Sequence, residues 1–250
     1  MYDSQNKIFR SNALLFCHCI AAFLVISLAI PWTHTIWEKI DGAWFKYING
    51  SLKGHPYLKV FWALANHKLA DWVEDICILT FFGCYIASLD KTKRLQKVIE
   101  LTLSILYIAA IIYFINRLFF RECCPIYRDS PTLTIHPHIN LADAASWLHV
   151  KSGSSKSFPG DHGTTALLFA ASFTYIAGWR RGIFACLYAS FLCLPRMVAG
   201  AHWLSDVIVG SGSITLCTLS WIFCTPLHAL WTNKLLHLFA FRKKATTTCK

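Results

Sequence analysis

Charge is what this 250-residue sequence is short of: charged residues make up 15% of it, and only 13 of them are acids against 24 bases. An ordinary soluble domain carries about 25% charged residues. With 55% hydrophobic residues and a mean hydropathy of +0.44, a soluble globular domain is excluded. Metal-type cysteine spacing is also missing. None of the eleven cysteines forms a Cys-x-x-Cys pair, and Cys17, Cys19, Cys77, Cys84, Cys186, Cys193, Cys217 and Cys224 lie in or beside apolar runs, where the thiol packs as a small hydrophobe. Cys17-His18-Cys19 looks like a ligand set, but neighbours on a helix point in different directions. No Gly-rich phosphate loop, internal repeat or low-complexity domain is present. No small-x-small cleavage site follows the first apolar run, so that run reads as a retained helix rather than a signal peptide.

What is there instead is a series of apolar stretches at 13–30, 73–89, 98–120, 162–177, 183–194 and 203–224. Lengths near 20 residues span a bilayer, and only helices or closed barrels satisfy the backbone there. The expected fold is therefore all-α: a polytopic integral membrane protein of six transmembrane helices forming one domain over 1–250. Residues 31–72 mix Trp32, Trp37, Trp44, Tyr47, Tyr57 and Trp62 with polar groups, the composition of segments lying at the interface. Residues 121–158 read as a long polar loop with a flexible stretch at 151–156. Residues 178–182 read as a tight basic turn, and 225–250 as a cytoplasmic basic tail.

The net charge of +11 would suggest nucleic acid, but its distribution argues otherwise. With both termini inside, the inner segments hold 13 of the bases and only Asp3, Asp90 and Glu100 of the acids, which puts +10 of the +11 on the cytoplasmic face. In that layout Arg121, Arg128, His162, Arg196, His202 and Asp206 all fall on the outer side. The expected partner is the membrane and its lipids, with no nucleic acid.

These residues carry the chemistry. His202 and Asp206 are four apart, the spacing at which a carboxylate on a helix orients an imidazole and leaves its other nitrogen free to attack. Arg196 precedes them by six residues across Gly200, with a guanidinium suited to phosphate oxygens. His162 opens an apolar run after Ser157-Phe158-Pro159-Gly160-Asp161. At a helix N-terminus it would meet an anion beside free N–H groups and could give up a proton. The bland alternative at each position is a helix cap, an interfacial histidine or a snorkelling base. Cys123-Cys124 has no partner on its side and reads as structural or incidental.

Together these residues resemble the type 2 phosphatidic acid phosphatase superfamily, whose motifs are Lys-x6-Arg-Pro, Pro-Ser-Gly-His and Ser-Arg-x5-His-x3-Asp. Arg196, His202 and Asp206 match the third at full spacing, with Pro195 for Ser. Pro159 and His162 match the second, with Gly160 and Asp161 between them. The first fits in two registers. Arg121 with Arg128 keeps two cations and is preferred, although Asp129 stands where Pro is expected. Arg117 with Cys124-Pro125 loses the key Arg. The stretches 130–134, 157–163 and 195–203, with 31–34 and the region of Asp41, resemble the lipid A 1-diphosphate synthase branch.

That resemblance implies phosphoryl transfer from undecaprenyl diphosphate to lipid A 1-phosphate at the periplasmic face of the bacterial inner membrane. His202 would attack phosphorus with Asp206 orienting it, and His162 would protonate the leaving group. Arg121, Arg128 and Arg196, together with Ser157, Gly160 and Asp161, would hold the phosphate. No metal or other cofactor is implied. A lipid phosphatase and a non-enzymatic transporter remain as alternatives, the latter without paired repeats to support it.

Overall fold

The structure, a computed structural model, describes residues 9–145, 147, 148, 150 and 152–248, the side chains of residue 144 and of 240–248 excepted. Among the described residues every regular element is helical: α1 (Ser11–Ala29), α2 (Pro31–Gly50), α3 (Pro56–Ala65), α4 (Lys68–Ala87), α5 (Lys91–Cys123), α6 (Pro131–Thr134), α7 (Leu141–Ala144), α8 (Asp161–Ala177), α9 (Trp179–Val198), α10 (Asp206–Phe223) and α11 (Leu227–Thr248). The last twelve residues of α5 and the first six of α10 are wound as π-helix, a rare geometry that recurs at functional sites. Proline starts α2, α3 and α6, where its missing N–H costs nothing.

All six apolar stretches fall on helices, but among the described residues α1, α5, α9 and α10 are the four helices long and apolar enough to cross a membrane. The expected second span lies on α4, whose first turns carry Lys68, Asp71, Glu74 and Asp75. The fourth lies on α8, which has 17 residues.

α8 and α9 form the centre. Gly178, at φ +87°, both ends α8 and begins α9, so the two helices double back with almost no loop. Phe81, Phe82 and Tyr85 of α4 pack against Phe169 and Phe173 of α8 and Tyr188 of α9, with ring centroids between 5.5 and 6.0 Å. Such pairs contribute about 0.5–1.5 kcal/mol each beyond the area they bury. α1 lies on α10. His18 donates from Nδ1 to the Leu14 carbonyl at 2.9 Å and accepts from Trp221 at 3.1 Å, so both its ring nitrogens are used.

Within the stretch read as a basic tail, α11 packs on α5 and α10 with His228, Ala229 and Thr232 buried. One segment differs from expectation. The stretch expected to be flexible is held along 128–130: Arg128 N–H donates to Ser155 O at 3.0 Å, Ser130 N–H to Ser154 O at 2.9 Å, and Ser157 N–H to Arg128 O at 3.0 Å. Small serines allow this close main-chain approach, which composition alone reads as a loop.

Candidate active site

The start of α8, the end of α9, the start of α10 and the strand-like pairing of 128–130 with 154–157 meet at one end of the bundle. The turn after α9 makes this possible. Gly200 sits at φ +75°, with its N–H donating to Met197 O at 3.0 Å and Ala201 N–H donating to Arg196 O at 2.9 Å. A Cβ there would lie 2.5 Å from Thr132 Cγ2 and 2.9 Å from Phe45 Cε2. Only glycine combines that backbone with that approach.

His202 directs Nδ1 at the Ser157 carbonyl, 2.7 Å away. A carbonyl can only accept, so Nδ1 carries the proton and the neutral ring keeps its lone pair on Nε2. The expected orienting partner was Asp206. Its Oδ2 is 3.8 Å from Nδ1, too far for a hydrogen bond. His202 precedes α10, so the i,i+4 spacing brings the two to ion-pair distance without a hydrogen bond. Asp206 instead accepts from Trp203 N–H at 2.8 Å, as an acid in the first turn does in a capping box. Its other oxygen takes Arg128 at 2.5 Å. Its charge still faces the imidazole.

Arg128 is correspondingly occupied. Its guanidinium donates to Asp206, to Asp41 at 2.8 Å and to Ser205 Oγ at 2.8 Å, and it lies over the Trp203 ring at 5.6 Å. Asp41 also accepts from Ser205 N–H at 2.9 Å and from its hydroxyl at 2.5 Å. Asp41 and Asp206 are 1% and 0% exposed, so Arg128 balances two buried carboxylates. A cavity of about 390 Å³ opens beside them, lined by His34, Glu38, Asp41, Arg128, Asp129 and Trp203 among others.

The second half of the site is built on His162. Its Nε2 lies 3.2 Å from Asp71 Oδ1 and 3.1 Å from an Arg196 nitrogen. Arg196 also reaches Asp71 at 3.4 Å, the Asn66 carbonyl at 2.9 Å and the Asn66 side chain. Burial pushes the Asp71 carboxyl up, but the His162 hydrogen bond and the charges of His162, Arg196 and His67 outweigh it and hold the group below its ordinary range. Asp71 thus bridges His162 and Arg196.

Asp161 does not offer itself to phosphate. It pairs with Arg121 and accepts from Asn116 at 3.1 Å, so it anchors a cation at the rim. Gly160 lies against the His202 ring, with a notional Cβ 3.6 Å from it. Ser157 contributes its carbonyl, and its hydroxyl is buried with no partner among the described residues. Arg117 lies apart, lining an apolar groove with Asp75, Phe82 and Tyr113. Among the described residues no group of three or more His, Cys, Asp or Glu side chains is placed to hold a metal.

Sequence reasoning did not single out Asp71 or Asn66, and it reached Asp41 only as part of a resembling region. Asp41 had a readable signal, an acid on the 41, 45, 48, 49 stripe that α2 buries. Asp71 and Asn66 had none, since an acid in a first turn and an Asn after a short helix are ordinary.

Among the described residues the helical bundle has four helices long and apolar enough to cross a membrane and brings two histidines and several arginines to one end, and the PAP2 superfamily matches residues 102–233. The chain belongs to that superfamily and is an enzyme of its lipid phosphatase and phosphotransferase type. It is 29% identical over 217 residues to the lipid A 1-diphosphate synthase of Escherichia coli (strain K12), covering 86% of this chain and 88% of that one. Among solved structures it resembles the crystal structure of Aquifex aeolicus LpxE, with a TM-score of 0.41 and 18% identity, over 72% of this chain and 93% of that one.

Proposed function

We propose that the protein transfers a phosphoryl group from undecaprenyl diphosphate to lipid A 1-phosphate at the periplasmic face of the bacterial inner membrane. It would do so as a six-span protein with both termini cytoplasmic. The observation that supports this most is the Ser157–His202 hydrogen bond, which leaves Nε2 as a nucleophile at the helix end where His162 and Arg196 converge. The likeness to a lipid A 1-diphosphate synthase supports the choice of donor and acceptor.

In the first step Nε2 of His202 attacks the terminal phosphorus. The bridging P–O bond breaks, its electron pair goes to the departing lipid phosphate, and His162 gives that oxygen a proton. Substrate displaces Asp71 from Arg196 and His162, and Arg196 then faces the equatorial oxygens, where phosphoryl transfer needs most stabilisation. In the second step an oxygen of the protonated acceptor phosphate attacks phosphorus and passes its proton to His162, the P–N bond breaks, and its electron pair returns to His202. Arg128 and Asp206 act from behind, by fixing the turn that carries His202.

The test uses purified protein and undecaprenyl diphosphate labelled on its terminal phosphate, with and without lipid A. The expected result is label on lipid A and little inorganic phosphate. Release of the label as inorganic phosphate at the same rate in both arms would establish a lipid phosphatase instead.

A further inference from the structure

The opposite end of the bundle holds a polar cavity that this chemistry does not use. α8 separates the two sites by about 25 Å, taking 1.5 Å per residue. His162 stands at its start, and Lys97 reaches the Ile176 carbonyl near its end at 3.3 Å. There a cavity of about 340 Å³ is lined chiefly by Arg10, Lys97, Glu100, Tyr175, Thr225 and His228.

Its charges do not cancel. Glu100 is buried and accepts from Gln96 at 2.7 Å and Lys97 at 2.6 Å. Arg10 is exposed at the rim, and its guanidinium has no ion pair or hydrogen bond among the described residues. The cavity thus carries one net positive charge. His228 is 7% exposed, and neither of its ring nitrogens has a partner among the described residues. Burial pushes its imidazole pKa down, so the ring is neutral and presents one N–H and one lone pair. Tyr107, with its ring 5.9 Å from His228, and Thr232, one turn further along α11, also bury hydroxyls with no partner among the described residues. Buried polar groups left unpaired at this density call for a hydrogen-bonding partner.

We propose that this cavity binds a phosphate anion, carried by a phospholipid headgroup or free, with Arg10 and Lys97 as its cations and His228 as a hydrogen-bond donor. A phosphodiester matches the single net charge. Its several oxygens suit donors that arrive from different helices better than the two oxygens of a carboxylate would. Arg10 at the rim would meet a headgroup at the membrane surface.

The test compares the full-length protein with Arg10→Ala and His228→Phe in detergent micelles. One arm titrates phosphatidylglycerol in mixed micelles and the other inorganic phosphate, both read by calorimetry. The expected result is that at least one probe binds each variant about tenfold or more weakly than it binds the wild type, the scale of one lost charge-assisted hydrogen bond. Lipid turnover by Arg10→Ala should be unchanged. The arm that responds identifies the source of the phosphate. Arg10→Ala lies at an exposed position and keeps the test valid if His228→Phe fails to fold. Wild-type binding of both probes by folded Arg10→Ala would overturn the proposal.

Discussion

The Ser157 carbonyl sets the tautomer of His202, and that single contact decides which nitrogen can attack phosphorus. His202→Ala should therefore abolish turnover while the protein stays folded. Normal turnover by folded His202→Ala, measured on labelled donor, would rule out a phosphohistidine. Asp206→Asn should slow turnover less, but it should also lower the melting temperature, since Asp206 holds Trp203 N–H and Arg128 rather than the ring. Arg128→Ala leaves two buried carboxylates without their cation. Breaking one side of such a cluster costs about 3–5 kcal/mol, so activity and thermal stability should fall together. Arg117→Ala, beside its separate groove, should leave both near wild type. A dead Arg117→Ala with near-normal Arg128→Ala would reverse the register chosen for the first motif. Asp71 adds a pH dependence. Its folded pKa lies below the ordinary 3.8, so it stabilises the fold above that pH, and the contribution is lost as pH falls through the depressed value. Wild-type melting temperature should fall on acidification below about pH 4, and Asp71→Asn should show a smaller fall over the same range. The motif residues of this site were legible in the sequence because their spacing is local. Asp71, Asn66 and the Ser157 carbonyl were not, since each meets its partner across 45 to 130 positions, Ser157 and Asn66 partly through the main chain.

At the scale of elements, the turn between α9 and α10 is the part the site depends on most. Gly200 was readable as a place where the backbone bends; its contact with Thr132 and Phe45 was not, because it comes from two segments, one nearly seventy residues away and the other more than twice as far. Gly200→Ala would force a Cβ into that contact and strain the backbone, at a cost of about 2 kcal/mol or more. It should cut turnover by orders of magnitude through displacement of His202 relative to Ser157, with a lowered melting temperature. Full activity in Gly200→Ala would show that the turn relaxes without moving His202. The helices themselves were legible as apolar runs. Their π-wound ends on α5 and α10 were not, because the i→i+5 pattern follows from what packs against those turns. The held segment 152–157 was missed for a related reason. Its serines carry no hydrophobic period, and its order comes from main-chain bonds to 128–130.

For the whole molecule, the two ends of the bundle differ in charge and in work. The catalytic cluster lies at the start of α8 and the end of α9, and Lys97 lies at the end of α8. With the termini inside, +10 of the net +11 falls on the side of Lys97 and Arg10, next to anionic headgroups. In the orientation proposed above, the catalytic end faces the periplasm. Two exposed positions report on the two ends: Ser155, beside the site, and Thr92, in the first turn of α5. In a background with the native cysteines replaced by alanine, Ser155→Cys should react with an impermeant maleimide in intact spheroplasts, and Thr92→Cys only after lysis. Activity of each variant on the labelled donor would establish that it is folded. Labelling of Thr92→Cys but not Ser155→Cys in intact spheroplasts would invert the topology. The enzyme would then have to draw its donor from the inner leaflet, and the basic excess would have to be explained by something other than orientation.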